Sequence, residues 1–467
     1  MSKTSEKVPG NDGFSGKFGF IIACIGSAVG MANIWRFPYL VSEYGGLTFL
    51  LPYLLFVVLI GCSGVMEEFA LGRWGGAGPV GSFGKATEER WGKRRIGEVI
   101  GALPVIGAMG LAIGYSVIMG WIFKYTKLSI TGELFSMGQD MDSIVGLFNE
   151  TAPTTDTLGQ AVGTMLDSGV FGIGNAWWII IAVAVSVLIM AFGVSGGIEK
   201  ACKVMIPILF VLFIFMAVYI ATLPGAIDGY KYIFTLDPRG LANWEVWIYA
   251  FGQAFFSLSV AGNGSVIYGS YLNRDVSIPS SAFHVALWDT VSAIVATFVI
   301  IPAMATAGET LTQSGPGLMF IYLPNLFREM PGGRILMAVF FVAALFAGVT
   351  SLVNLFEAPT ATLQEKLHLS RGTAVAVIGV VGLAVGLCIQ GIVSGWMDVC
   401  SIYACPIGAL LAGVFFYWVL KKEDCLVQVN LARRRPLGRW FYPTAKYLYC
   451  GVTVLVLILG AVNGGIG

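Results

Sequence analysis

Long uncharged stretches constrain this chain more than any other feature of its sequence. Ten stretches of 18 or more residues contain no Asp, Glu, Lys or Arg, and an eleventh, 276–308, is interrupted only by Asp289. A helix of about 20 apolar residues is long enough to cross the hydrocarbon core of a bilayer. The sequence therefore predicts an all-α polytopic membrane protein with eleven transmembrane helices. The ten uninterrupted stretches are 18–35, 44–66, 99–123, 168–198, 204–227, 246–273, 335–356, 372–397, 399–420 and 447–467.

The composition agrees with a membrane protein and argues against several soluble classes. Hydrophobic residues make up 56% of the 467 positions and charged residues 12%, whereas a soluble domain has about 25% charged residues. This composition argues against a disordered protein, a nucleic-acid-binding protein and an ordinary cytosolic enzyme. The formal net charge of only +1 leaves no overall field to attract an acidic partner. The eight cysteines form no C-x-x-C pair and there are two histidines, which argues against disulfide, zinc and haem sites. We expect one transmembrane domain over 1–467, in contact with lipid and without catalytic residues.

The distribution of basic residues predicts the orientation of the helices. If the N-terminus is cytoplasmic and the eleven spans alternate, 21 of the 28 Lys and Arg residues fall on the cytoplasmic side. Short cytoplasmic loops are enriched in Lys and Arg. The sequence therefore predicts a protein of the plasma (inner) membrane with its N-terminus inside and its C-terminus outside.

Ionisable residues at membrane depth are candidates for function, because a charge within the bilayer is costly. Asp289 lies about midway along its span. It is interpreted as a cation ligand or proton carrier, or alternatively as an acid that bonds to a neighbouring helix. Arg36 and Asp398 lie near the outer portions of their helices. They are expected to pair across the mouth of a cavity or to form a fixed structural salt bridge.

Two segments rich in small residues, 26–33 and 257–264, lie midway along the first and sixth spans. Gly weakens a helix by about 1 kcal/mol relative to Ala, so both segments are places for a helix to unwind and to free its carbonyl groups for a cation. The alternative is a face for close helix packing. A matching break in spans one and six predicts a 5+5 inverted repeat. Repeat one would cover about 14–224, repeat two about 242–421, and an additional helix about 440–463.

Five motifs resemble the neurotransmitter:sodium symporter family, and in particular its bacterial amino-acid transporters. They are 27–39 (SAVGMANIWRFPY), 45–46 (GG), 68–73 (EFALGR), 252–259 (GQAFFSLS) and 347–351 (AGVTS), in the order that the family shows. The resemblance implies two sodium ions. The first would be bound by Ala28, Asn33, Ser257 and Asp289, and the second by Gly26, Val29, Ala347, Thr350 and Ser351. From the residues alone, the Thr350 and Ser351 hydroxyls could equally bond back to their own helix.

The resemblance also implies a substrate pocket. Gly30 stands where monoamine carriers of the family have an acid, which favours an amino acid, and an uncharged lining favours a neutral, mainly apolar one. Tyr115 and Phe256 would close over the substrate, and Arg36 and Asp398 would form an outer gate. The implied pocket residues are Ala28, Gly30, Met31, Ala32, Leu111, Tyr115, Phe256, Ser257, Ser259, Gly262, Ser351 and Leu355.

The resemblance also implies an opening at the opposite, inner end of the protein. Gly197 and Pro207 match a family element at which a helix unwinds, although Pro207 could also produce a static kink. Glu365 is the expected acidic partner of the inner gate. Asp289 stands where chloride-dependent members have Asn, and its fixed charge predicts independence from chloride.

Together these features predict a sodium-coupled symporter that imports a neutral, mainly hydrophobic amino acid by alternating access. Two other readings remain open at this point. A proton-coupled transporter would use Asp289 as its proton carrier. A gated channel would need a continuous row of polar groups through the membrane.

Overall fold

A computed structural model describes residues 13–137, 141–155, 157–162, 176–260, 264–308 and 314–463. All longer elements in these ranges are helical. The first half of the chain contains α1 (Lys17–Ala28), α2 (Ala32–Glu43), α3 (Leu47–Gly75), α4 (Pro79–Trp91), α5 (Arg94–Thr131), α6 (Met141–Thr151), α7 (Ala176–Ala191), α8 (Val194–Ala221) and α9 (Ala226–Ile233).

The second half begins with two shorter helices on either side of 261–263. Its elements are α10 (Trp244–Ser257), α11 (Gly264–Ser270), α12 (Ile278–Thr306), α13 (315–329), α14 (Gly333–Leu367), α15 (Arg371–Cys388), α16 (Gln390–Val419), α17 (Lys422–Asn430) and α18 (Phe441–Val462).

Within the described ranges, eight helices are long and apolar enough to cross a membrane, or nine if α1 and α2 count as one bent span. Helices α1 and α2 meet at an angle of 54°. The two remaining predicted spans correspond to the 16-residue apolar helix α7 and to the pair α10 and α11. The protein is thus an all-helical, polytopic membrane protein with a broken first helix.

Two predicted span boundaries are wrong because charge does not mark where these helices end. The predicted span 168–198 is divided at Gly193, which has the left-handed φ of 88° that favours glycine. The chain turns there and α8 begins four residues before the end of the predicted span. Similarly, the chain turns at Ile389 and not at Asp398, which lies inside α16.

The broken helix occupies the centre of the molecule, where α1 packs against α8, α12 and α14. Helix α11 is held close to α3 by two glycines. A Cβ atom on Gly72 would lie 1.9 Å from the carbonyl oxygen of Val266. A Cβ atom on Gly269 would lie 2.5 Å from the carbonyl oxygen of Phe69. This backbone contact fixes α11 beside the central helices.

Candidate functional site

The first helix break exposes backbone carbonyl groups in the centre of the protein. Helix α1 ends at Ala28, Val29 is extended with φ −70° and ψ 102°, and α2 begins at Ala32. The Ser259 hydroxyl donates to the Ser27 carbonyl over 2.9 Å. In a continuous helix this carbonyl would accept the N–H of a residue one turn further along the same helix. The predicted unwinding of the first span is confirmed.

The second break follows helix α10, which ends at Ser257. Two residues later Ser259 has a left-handed φ of 53°, which few residues other than Gly adopt. The helical pattern therefore stops where the sequence predicts it to stop. The predicted pocket residue Gly262 lies outside the described residues.

Three polar side chains from different helices meet between the breaks and bond to one another. Asn33 Nδ2 donates to Asp289 Oδ1 over 2.8 Å and to Ser257 Oγ over 3.2 Å, and Ser257 Oγ donates to Asp289 Oδ2 over 2.6 Å. All three side chains are fully buried. The Gly30 N–H donates to Asn33 Oδ1 over 3.2 Å, which ties this central cluster to the first break. A hard cation prefers such oxygen ligands, and Ala28 lies nearby at the end of α1.

A second group of oxygens lies where α1 meets α14. The Ser351 hydroxyl is 3.2 Å from the Val29 carbonyl oxygen and 3.5 Å from that of Gly26. The Thr350 hydroxyl donates back to the carbonyls of Phe346 and Ala347, both over 3.0 Å. Thr350 thus makes the bond within its own helix, whereas Ser351 reaches across to the broken helix. Among the residues that the structure describes, no group of three His, Cys, Asp or Glu residues could hold a metal ion.

A central cavity of about 200 Å³ lies beside both breaks. It is lined by most of the predicted pocket residues, namely Ala28, Gly30, Met31, Ala32, Leu111, Tyr115, Phe256, Ser259, Ser351 and Leu355. The Met31 N–H donates to the Tyr115 hydroxyl over 3.4 Å. Ser257 does not line the cavity, because its hydroxyl bonds within the central cluster.

The other residues of the cavity wall were not predicted as pocket residues, although Arg36 was predicted for the outer gate. On α14 the lining follows helical spacing from Ser351 through Asn354 and Leu355 to Ala358, since residues three, four and seven apart share one helix face. That spacing could have identified Asn354 and Ala358. The remaining lining residues are Ser27, Trp35, Arg36, Ala108, Gly264, Met397 and Ser401.

A wider vestibule of about 490 Å³ adjoins the central cavity on the side of Arg36. Arg36 and Asp398 both line it, and the Arg36 guanidinium lies 5.4 Å from the centre of the Phe256 ring. Among the described residues, the ion pairs within 4 Å do not include one between Asp398 and Arg36. The vestibule and the central cavity share Trp35, Arg36, Met397 and Ser401 as lining residues, so the two spaces are adjacent.

The opposite end of the broken helix is covered by the segment before α1. The Ser15 N–H donates to Glu199 Oε2 over 2.8 Å, and the Lys203 ammonium lies 2.5 Å from Glu199 Oε1. The Phe14 ring packs edge-on against Tyr268 and Tyr271. These contacts hold Phe14 and Ser15 against α8 and the end of α11.

Nearby, the α14–α15 connection carries a buried ion pair. Arg371 binds the Glu357 carboxylate through two bonds of 2.9 and 2.8 Å, and the Tyr271 hydroxyl donates to the same carboxylate over 2.8 Å.

The three residues predicted for the inner opening lie in different environments. Gly197 is in the first turn of α8, and Pro207 is in its interior. The Glu365 carboxylate accepts the N–H of Gly78 over 3.3 Å and lies 3.6 Å from the Lys366 ammonium. The structure therefore places Glu365 beside the start of α4, and Glu199 is the acid that contacts the segment before α1.

Comparison with known proteins now identifies the chain. A model of the sodium:neurotransmitter symporter family matches residues 11–459. The chain belongs to this family. It is similar to an uncharacterized sodium-dependent transporter of Bacillus subtilis, with 30% identity over 96% of this chain and 97% of the relative. It is also 30% identical to an uncharacterized sodium-dependent transporter of Methanocaldococcus jannaschii, over 96% of this chain and 89% of the relative.

A solved structure of the symporter family has the same fold. The crystal structure of MhsT in complex with L-phenylalanine superposes with a TM-score of 0.79 and 32% identity, covering 97% of this chain and all of MhsT. Family membership makes the protein a sodium-coupled, multi-pass membrane symporter and not an enzyme. It also confirms the resemblance found in the sequence.

Proposed function

We propose that this symporter imports a neutral, mainly hydrophobic amino acid together with Na⁺ by alternating access. The observation that carries the proposal is the buried cluster of Asn33, Ser257 and Asp289, which lies between the two breaks and beside the central cavity. The eleven predicted helices would form a 5+5 inverted repeat in which helices 1 and 6 are broken. Midplane breaks of this kind bind ions and substrate in such transporters.

Two sodium ions are proposed, one at each group of oxygens. The first would use the carbonyl of Ala28 with Asn33, Ser257 and Asp289, and the fixed charge of Asp289 would make chloride unnecessary. The second would use the carbonyls of Gly26, Val29 and Ala347 with the hydroxyls of Thr350 and Ser351. Ser351 already contacts two of these carbonyls, which supports the second site.

The amino-acid carboxylate would bind at the start of α2, where helix N–H groups have no partner within the helix. Tyr115, whose hydroxyl contacts the Met31 N–H, would bind the same carboxylate. A Cβ atom on Gly30 would lie 2.9 Å from Ser351 Oγ, so a side chain there would fill the cavity. The MhsT structure holds L-phenylalanine, which supports a hydrophobic amino acid as the substrate of this chain also.

Alternating access would open the two ends in turn. With a cytoplasmic N-terminus, the vestibule at Arg36 and Asp398 would face outward, and Tyr115 and Phe256 would close over the substrate. The inner end would open when the segment before α1 leaves Glu199 and the α8 helix unwinds between Gly197 and Pro207, where proline removes a backbone hydrogen bond.

The orientation has its own test in intact cells. A membrane-impermeant maleimide is expected to label Ser136→Cys but not Lys93→Cys, both of which are exposed positions. The reverse pattern would place the vestibule inside.

Uptake into vesicles tests the function. The purified protein is reconstituted, and uptake of radiolabelled amino acids is measured with an inward gradient of Na⁺, with choline in its place, and with gluconate replacing chloride. We expect uptake that requires Na⁺ and not chloride. Uptake driven by a pH gradient in Na⁺-free medium would favour proton coupling through Asp289, and ion flux without saturable uptake would favour a channel.

A further inference from the structure

Asn354 is a buried amide in the wall of the central cavity with an unsatisfied oxygen. Its side chain is 4% exposed, and among the described residues its Oδ1 atom has no hydrogen-bond partner. The amide stands opposite the first residue of α11, where a Cβ atom on Gly264 would lie 2.9 Å from Asn354 Nδ2. A buried amide without a partner costs free energy, so a bound group that supplies the missing bond would recover it.

Three other polar side chains of the cavity near the breaks already have partners. Ser259 donates to the Ser27 carbonyl, Ser351 contacts the carbonyls of the first break, and Tyr115 accepts from the Met31 N–H. Asn354 belongs to neither group of proposed sodium ligands. It is therefore available to the substrate side chain.

The position of Asn354 limits which part of the side chain can reach it. Asn354 follows Ser351 by three residues on α14, which is roughly 4.5 Å of helix at 1.5 Å per residue. The substrate carboxylate is proposed to bind beside α2. The cavity wall also includes Ala108, Leu111 and Leu355, so the body of the side chain contacts apolar residues and the amide contacts a polar group that it carries.

We propose that Asn354 determines specificity by accepting a hydrogen bond from a donor group carried by a mainly apolar side chain. Its preferred substrates then carry a donor on an aromatic ring, as the indole N–H of tryptophan or the hydroxyl of tyrosine does. This inference rests on the proposed function, because it assumes that the cavity binds an amino acid. It adds the class of side chain and the residue that selects it.

The test compares two ligand pairs that differ by one donor. Na⁺-dependent binding to the purified full-length protein is measured by competition for tryptophan against 1-methyltryptophan and for tyrosine against phenylalanine. Because an unpaired buried polar group weakens binding strongly, we expect the donor-bearing member of each pair to bind roughly tenfold to hundredfold more tightly. In Asn354→Leu the ratio should fall to about one while the apolar member still binds.

A control variant and the wild-type result keep the inference separate from the proposed function. Leu355→Val, on the same face of α14, should weaken both members of a pair equally and leave the ratio unchanged. If the wild type binds both members of each pair with equal affinity, the inference is overturned even when Na⁺-dependent binding is present. A water molecule bound to the amide would produce this result. Absence of Na⁺-dependent binding for every amino acid would overturn the proposed function and the inference with it.

Discussion

At the scale of single residues, Asp289 is the acceptor around which the proposed first ion site is built. Asn33 and Ser257 both donate to its carboxylate, and all three side chains are fully buried. Charged residues at membrane depth persist where they have a partner or a function. The cluster gives Asp289 two neutral donors and no cation among them, so a sodium ion would supply the missing positive charge.

Replacing Asp289 with Asn tests this role with little change in shape. We expect Asp289→Asn to reduce Na⁺-dependent uptake at least tenfold, because the amide has no charge and offers one oxygen in place of two. Thr297→Ala is the matched control, since the Thr297 hydroxyl on the same helix donates only to the carbonyl of Ala293, over 2.9 Å. Uptake in vesicles with and without Na⁺ is the measurement. Undiminished Na⁺-dependent uptake by Asp289→Asn would contradict the assignment.

Residues of the site could be predicted from sequence where polarity alone distinguishes them. Asn33 and Asp289 stand out because they are polar within apolar runs, and the family resemblance placed Tyr115 and Phe256. Asn354 was not found, because an amide in a membrane helix faces a cavity or a neighbouring helix according to the rotation of that helix. The partner of the segment before α1 was also not found, since the contact with Glu199 depends on how the chain enters α1.

At the scale of helices, the α7–α8 connection shows how close packing and not charge sets the boundaries. The run 168–198 contains no charged residue, yet the chain turns at Gly193 with a φ of 88°. A Cβ atom on Gly197 would lie 1.9 Å from the carbonyl oxygen of Ile189. The start of α8 thus rests directly on the end of α7, a contact that hydropathy does not reveal.

Two neighbouring glycines provide a matched test of that contact. Gly197→Ala is expected to destabilise the protein by about 1–3 kcal/mol or more, because the methyl group meets backbone that must shift. Gly196→Ala should be neutral or slightly stabilising, since among the described residues no atom beyond its own turn of helix lies within 4 Å of its Cβ position and Ala favours a helix over Gly. Thermal unfolding in detergent measures both. Equal melting temperatures for the two variants would show that the α7–α8 contact is looser than described.

At the scale of the whole molecule, the two ends of the broken helix are in different states. One end opens into the vestibule lined by Arg36 and Asp398, and the other is covered by the segment before α1. The vestibule adjoins the central cavity, because the two spaces share Trp35, Arg36, Met397 and Ser401. The proposed alternating access would require this asymmetry to reverse, so the contact with Glu199 would have to break in each cycle.

Glu199→Gln tests whether that contact holds the covered end closed. The change removes the charge that binds the Lys203 ammonium and weakens the bond from the Ser15 N–H, and charge-assisted bonds of this kind contribute about 1.5–3 kcal/mol. The N-terminal half of α1 should therefore detach more often and expose Cys24 and Cys202, which are buried in the structure. We expect their modification by N-ethylmaleimide, located by peptide mass spectrometry, to accelerate about tenfold.

Asp228→Asn is the control, because Asp228 forms an exposed pair with Lys231 and exposed pairs contribute little. If Glu199→Gln leaves both thiols as protected as in the wild type, the covered end is held closed mainly by the aromatic packing of Phe14 against Tyr268 and Tyr271.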